Sequence, residues 1–255
     1  MIIGVLLPAC ACVHLAAPAP QVAALPLARP AMAHPTVRTP GVRPSAPDPA
    51  IPTVLALARS LVGARRFEVK GRRFRGDCSN FVRAVFSTLD LDLFAVPHPP
   101  PHANGVRLIH AWVARYGVNY RARVPKPGDV VYFDNTYDRN HDGRLDDRLT
   151  HVGLVDEVEP DGTFYVIHDA SHGVEREPMN LLHPHDRLDA AGREINAFLR
   201  RRTGHDRPGT PRLMGELFAG FGTVHRPAKP PPARLDLVPP APDDDDLPPP
   251  PVPES

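Results

Sequence analysis

The sequence predicts an α+β domain in which N-terminal helices pack on an antiparallel β-sheet meander. Apolar residues recur at helical spacing through the first half of the central region. Short segments rich in β-branched and aromatic residues follow, and turn residues join them. Helices that precede strands, rather than alternate with them, are typical of the α+β class.

Proline is concentrated at the two ends of the chain. Of the 34 prolines, 10 fall in residues 1–50 and 12 in residues 227–255. Such segments bury little apolar surface, so we expect a Pro/Ala-rich linker within 1–50 and a disordered acidic tail over 227–255. An export or lipoprotein signal is expected ahead of the linker. Residues 51–226 remain, and they are enough for one domain.

The charge and the N-terminus bear on location and partners. A formal net charge of +1 argues against a general attraction to nucleic acid. Leu7-Pro8-Ala9-Cys10 follows a short apolar run and resembles a bacterial lipoprotein cleavage box. We therefore expect an envelope, periplasmic or secreted monomer, tethered to the membrane if Cys10 or Cys12 carries a lipid. An unprocessed leader on a cytoplasmic protein is the alternative.

Three helices are predicted. The first covers 52–65, the second begins at Cys78, and the third runs from Asn104 to Gly117. A cysteine at a helix N-terminus meets unpaired amides and the positive end of the helix dipole, which favour a thiolate. The amide of Ser79 could also hold a developing oxyanion. The alternative is a cysteine that is packed as a small apolar residue.

A basic run, residues 65–75, precedes that cysteine. We interpret it as a solvated loop face, and the alternative is a positive field that favours the thiolate of Cys78.

Strands are predicted at 129–133, 151–158, 163–169 and 174–181, whereas 213–224 is compatible with a helix or a strand. A turn centred between Pro160 and Asp161 places His151 opposite Ala170 and one diagonal step from His168. A nucleophilic cysteine needs a base, and the base needs an orienting partner.

Cys78, His151 and His168 can supply these three roles. A shift of one residue in register would bring Asp169 to the same face instead of His168. A histidine satisfied by backbone groups is the alternative for His151.

An insertion at 134–150 resembles the calcium loop of an EF-hand, with oxygen ligands at alternate positions and Gly143 at the sixth. The match stops at the twelfth position, which is Leu149. We expect a structural Ca²⁺ here and no cofactor for catalysis, and an acidic turn is the alternative. The candidate ligands are Asp138, Asn140, Asp142, Arg144 through its backbone carbonyl, and Asp146.

Four motifs, at 77–82, 127–133, 151–155 and 166–169, together resemble the NlpC/P60 cysteine peptidases and the related CHAP amidohydrolases, over roughly residues 54–182. The resemblance implies a papain-like fold and hydrolysis of amide bonds in bacterial peptidoglycan. It also implies a triad with Cys78 as nucleophile, His151 as base and His168 as orienting residue. We expect Ser79 and Asp77, beside the nucleophile, to make oxyanion or substrate contacts.

The chain departs from the NlpC/P60 pattern before the cysteine, where 67–74 replaces an aromatic-and-glycine segment, and at Asn80, where glycine is usual. The bond cleaved therefore stays open. We expect an exported cysteine hydrolase that acts on peptidoglycan stem peptides or another amide substrate. The alternatives are a non-catalytic calcium-binding envelope module of the same fold, and a deamidase or acyltransferase with the same triad.

Overall fold

Three helices precede most of the strands in the computed structural model, which describes residues 48–204 and 206–228. They are α1 (Ile51–Ser60), α2 (Cys78–Phe86) and α3 (Gly105–Tyr116), and a 3₁₀ turn, Ser87–Leu89, follows α2. Among the described residues, none of the helices has the length and apolar character to cross a membrane. The expected signal, most of the linker and almost all of the proline-rich tail lie outside the described residues, so those expectations stay predictions.

The helix starts follow from local chemistry. Asn104 caps α3, because its side chain accepts a hydrogen bond from the amide of Arg107 at 2.8 Å. Helix α1 has no side-chain cap, and Pro52 lies in its first turn, where the missing N–H of proline costs nothing. The predicted third helix is confirmed within one residue at each end.

A small β-hairpin lies where the sequence indicated only a polar loop. It pairs β1 (Phe67–Val69) with β2 (Arg72–Phe74). The rings of Phe67 and Phe74 stack at 6.3 Å, and Phe67 meets the ring of Phe81 of α2 edge-on at 6.1 Å. The hairpin therefore packs its apolar side chains on the helix that carries Cys78.

The remaining strands form one six-stranded antiparallel sheet in the order β3-β8-β4-β5-β6-β7. The predicted meander β4 to β7 is confirmed. The stretch that the sequence left undecided, 213–224, contributes strand β8 between β3 and β4. The strands are β3 (Val118–Tyr120), β4 (Val130–Phe133), β5 (His151–Val158), β6 (Thr163–Ala170), β7 (Gly173–Asn180) and β8 (Phe218–Thr223).

Both faces of the sheet are buried. Val130 and Tyr132 of β4 pack in the cluster that includes the three helices. Val131 and Phe133 point to the other face and pack in a cluster that includes Ala197, Met214 and Leu217. Side chains alternate across a strand, so β4 is apolar throughout because it serves two cores.

The β5–β6 register decides which residues meet at the start of β5. Leu154 pairs with Ile167, the register expected from the turn at 160–161, and a bulge between Val155 and Glu157 shifts only the turn side of the hairpin. A Cβ atom on Gly153 would lie 2.5 Å from Cγ1 of Val166, so the glycine allows the two strands to approach closely here.

Candidate active site

Cys78 is the first residue of α2, as the sequence predicted. Asp77 caps this helix, and its carboxylate accepts hydrogen bonds from the amides of Ser79 at 2.9 Å and Asn80 at 2.8 Å. The side chains of the same two residues also donate to it, at 2.7 Å and 2.6 Å. Four donors therefore fix the orientation of the turn that presents the cysteine.

This cap changes the expected roles of Asp77 and Ser79. The Ser79 amide already donates to the Asp77 carboxylate, so the expectation that it holds an oxyanion is not supported by the resting geometry. The amide N–H of Cys78, at the first position of the helix, has no hydrogen-bond acceptor among the described residues. Unlike the amides of Ser79 and Asn80, this N–H group is available to a ligand.

The surroundings of Cys78 favour the neutral thiol, whereas the sequence predicted that they would favour the thiolate. Burial, followed by the negative charge of Asp77, raises the pKa of Cys78 to about 12, against the opposing effect of hydrogen bonds from the Val152 and Ser79 amides. The Ser79 amide at the helix start lowers the pKa of the thiol, as the sequence predicted, but desolvation and the adjacent Asp77 carboxylate outweigh this effect. Four of the six basic residues of the run are exposed, in agreement with its interpretation as a solvated face: Arg65, Arg66, Lys70 and Arg73.

The two histidines of the hairpin are in direct contact. Nε2 of His151 lies 2.9 Å from Nδ1 of His168, and the rings meet edge-on with their planes at 85°. Nε2 of His168 lies 3.0 Å from Oε2 of Glu177 on β7. The His168 side chain is 1% exposed, whereas the Glu177 side chain is 25% exposed.

These contacts determine which ring nitrogens carry protons. The Glu177 carboxylate is an acceptor, so Nε2 of neutral His168 donates to it and Nδ1 of His168 is left as an acceptor. Nε2 of His151 must then be a donor. The lone pair of His151 is consequently on Nδ1, the nitrogen that does not face His168.

Burial, together with the neighbouring His168, holds the pKa of His151 well below its usual value. A neutral imidazole at neutral pH can accept a proton. The Val152 amide, one residue beyond His151, lies within hydrogen-bonding reach of the Cys78 thiol. The thiol therefore lies against the start of β5, and Cys78 and His151 line one cavity.

Sequence reasoning missed Glu177. The β6–β7 ladder pairs His168 with Glu175 and Val166 with Glu177, which places Glu177 diagonally from His168 on the same face. Applying hairpin geometry to one more strand would have identified both carboxylates as neighbours of His168.

Asp169, the alternative third residue, does not bond to either histidine. It is 6% exposed, and its Oδ2 atom is buried without a hydrogen-bond partner in the described part of the chain. Desolvation, followed by the negative charge of Asp77, raises the pKa of Asp169 to about 6. The geometry thus favours His168 as the partner of His151.

The 134–150 insertion forms a compact turn around its own backbone amides. The Asp138 carboxylate accepts from the amides of Gly143 at 2.8 Å and Asp142 at 3.2 Å, and the Asp142 carboxylate accepts from the amide of Arg144 at 2.9 Å. Gly143 has φ +74°, which suits the sixth position of a calcium loop. Asn140 Oδ1 also accepts from the Asp142 amide, at 3.2 Å.

Hard oxygen donors of this kind suit Ca²⁺, although Leu149 at the twelfth position offers no carboxylate. Asp146 does not share in these hydrogen bonds. Within residues 48–204 and 206–228, no group of three or more His, Cys, Asp or Glu side chains has a metal-binding arrangement. The calcium ligands therefore stay a prediction.

A cavity of about 1540 Å³ opens over the cysteine. Its lining combines the catalytic candidates, side chains of the 134–150 insertion such as Tyr137, and a C-terminal segment from Phe198 to Arg212. The C-terminal segment follows the predicted motifs in the chain, so no motif indicated that it would lie at the site.

A family model for the CHAP domain matches residues 69–170. The match spans α2 and continues to the end of β6, so it includes Cys78, His151 and His168. No curated protein matches the chain in sequence. Glu177 and the C-terminal wall of the cavity lie beyond the matched residues.

Proposed function

We propose that this protein is an exported cysteine hydrolase that cleaves amide bonds of peptidoglycan, because residues 69–170 match the model of the CHAP domain, a papain-like cysteine peptidase or amidase domain related to NlpC/P60. CHAP domains generally act on the bacterial cell wall as amidases or peptidases. The observation that carries the assignment to this site is the hydrogen-bonded series His151, His168 and Glu177, whose members line the same cavity as Cys78.

In the proposed mechanism, Nδ1 of His151 removes the proton of the Cys78 thiol as the sulfur attacks the amide carbonyl. His168 holds the ring of His151 in position. Glu177 stabilises the positive charge that develops on the histidine pair. The free amide of Cys78 is placed to donate to the oxyanion.

The tetrahedral intermediate then collapses. The C–N bond breaks, and the proton on His151 passes to the leaving amine. The acyl group remains on Cys78 as a thioester. His151 next removes a proton from a water molecule, which attacks the thioester, and the product carboxylate leaves with restoration of the Cys78 thiol. One amide bond and one water are consumed, and one amine and one carboxylate are formed.

The raised pKa of Cys78 determines the timing of the first proton transfer. A thiol with a pKa of about 12 and a neutral His151 do not form a stable thiolate–imidazolium pair in the free protein. Proton transfer therefore accompanies nucleophilic attack, so His151 acts as a true general base.

Export and anchoring belong to the same proposal, because peptidoglycan lies outside the cytoplasmic membrane. The motif around Cys10 supports a lipid anchor. Metabolic labelling with a fatty acid, compared between the wild type and Cys10→Ser, would test it. Label that is unchanged in Cys10→Ser and lost in Cys12→Ser would assign the lipid to Cys12, and absence of label in the wild type would reject the anchor.

We also propose that Ca²⁺ stabilises the 134–150 insertion through Asp138, Asn140, Asp142, the carbonyl of Arg144 and Asp146. An ion bound only in the folded state raises Tm. Millimolar calcium should therefore raise Tm of the wild type and not of Asp138→Asn. An unchanged Tm of the wild type would reject the ion site.

The test of the function is product analysis by mass spectrometry after incubation of the protein with purified peptidoglycan. Hydrolysis yields fragments with a new amino group and a new carboxylate. Release of ammonia alone would indicate a deamidase, and transfer of an acyl group to an added amine would indicate an acyltransferase. No product of any kind would indicate a non-catalytic module.

A further inference from the structure

The lining of the cavity above Cys78 carries side chains of both charges, and Asp138 and Asp206 stand in the same segments as its arginines. Asp77 and Asp169 lie beside the cysteine, and Glu175 and Glu177 project from β7. Exposed arginines lie elsewhere on its lining. We call these the arginine wall: Arg144 from the insertion, with Arg201 and Arg207 from the C-terminal segment.

The guanidinium groups of the arginine wall are available to a ligand. All three residues are exposed, and none forms an ion pair or side-chain hydrogen bond with the part of the chain that the structure describes. The neighbouring Arg200 differs, because it is 8% exposed and donates to the carbonyl of Asn135 at 2.9 Å and to Asp206 at 3.2 Å.

Arg200 fixes the segment that carries Arg201 and Arg207. Its bond to Asn135 ties the segment to the start of the insertion, and its bond to Asp206 closes the turn between the two exposed arginines. The amide of Leu199 also donates to the carbonyl of Arg212 at 2.9 Å. The guanidinium groups are therefore presented from a backbone that is held in place.

We propose that the arginine wall binds a carboxylate of the substrate and so selects acidic acyl or peptide groups. This rests on the proposed hydrolase function. A guanidinium binds a carboxylate through two parallel hydrogen bonds. The carboxylates beside Cys78 repel a substrate carboxylate. A substrate carboxylate therefore lies toward Arg201 and Arg207 when the scissile carbonyl lies at Cys78, which fixes the orientation of the substrate.

The test measures binding rather than turnover. The Cys78→Ala protein would be titrated with a synthetic stem peptide whose glutamyl α-carboxylate is free, and with the same peptide amidated at that group. We expect the free carboxylate to bind about tenfold more tightly, the effect of one charge-assisted contact. The preference should weaken at high salt, because the arginines are exposed.

The double variant Arg201→Gln/Arg207→Gln, in the Cys78→Ala background, should lose this preference. Arg202→Gln is the matched control, since Arg202 is an exposed neighbour that does not line the cavity. Equal affinity for the two peptides, no binding of either, or a preference that survives in the double variant would overturn the proposal. Circular dichroism would establish that each variant is folded.

This experiment separates the two proposals. Hydrolysis of peptidoglycan by the wild type with no carboxylate preference would reject the arginine wall alone. A carboxylate preference in Cys78→Ala without hydrolysis by the wild type would reject the hydrolase and retain the binding site.

Discussion

Nε2 of His151 lies 2.9 Å from Nδ1 of His168 in a contact that crosses the β5–β6 hairpin. The Glu177 carboxylate, 3.0 Å from the far side of His168, sets the direction of this hydrogen bond. One carboxylate on a third strand therefore determines the tautomers of two histidines. It leaves the lone pair of His151 on the nitrogen that is not bonded to His168.

Glu177→Gln should lower kcat about ten- to a hundredfold, the size of effect found for carboxylates that orient a metal-binding histidine, because Glu177 acts on His151 only through His168. Without the carboxylate the imidazolium of His151 is less stable, so the acidic limb of the kcat/KM profile should move to lower pH. Glu68→Gln, an exposed glutamate on β1, is the control. A uniform loss of rate with no movement of the limb would mean that Glu177 has only a structural role.

The raised pKa of Cys78 predicts slow alkylation by iodoacetamide at neutral pH, because only the thiolate reacts. The rate should increase continuously into the alkaline range. Asp169→Asn should accelerate it, since the charge of Asp169 contributes to the high pKa of the thiol. A rate that levels off below neutral pH would show a preformed thiolate and contradict the general-base mechanism.

Asp169 should make stability depend on pH. Its pKa is raised from 3.8 to about 6, so the folded state favours the neutral acid. The unfolded chain ionises first as pH rises, and stability falls between pH 4 and pH 7 by on the order of 3 kcal/mol at most. Asp169→Asn removes this loss. In urea unfolding, the unfolding free energy of Asp169→Asn relative to that of the wild type should increase as pH rises. A difference in unfolding free energy that stays constant with pH would exclude an ionised buried Asp169.

Gly153→Ala should separate the two histidine strands. The added methyl would lie 2.5 Å from Cγ1 of Val166 and 3.2 Å from Cβ of His168, so β6 must move. We expect a loss of about 1–3 kcal/mol in unfolding free energy and a larger loss of activity. Gly204→Ala is the control, because no atom lies within 4 Å of that added methyl. Full activity of Gly153→Ala would show that the histidine contact tolerates displacement.

The sequence predicted the features that depend on local pattern. The start of α2, the limits of α3 and the β5–β6 register follow from apolar spacing, a cap and a turn, and all three are confirmed. Three-residue strands such as β1 and β3 are too short to show a period, so they were not predicted.

The features that were missed depend on distant packing. The pKa of Cys78 depends on its burial and on Asp169, which follows it by 91 positions in the chain, and neither effect can be inferred from the residues next to the cysteine. The role of the segment from Phe198 to Arg212 as a cavity wall was missed for the same reason. Glu177 is the exception, because strand alternation alone could have identified it.

The central claim is that Cys78 is the nucleophile of a peptidoglycan hydrolase. The most direct measurement is the release of new amino groups from purified peptidoglycan by the wild type and by Cys78→Ala at equal concentration, with matching circular dichroism spectra. The account predicts release by the wild type and none above background by Cys78→Ala. Equal release by the two proteins would contradict it.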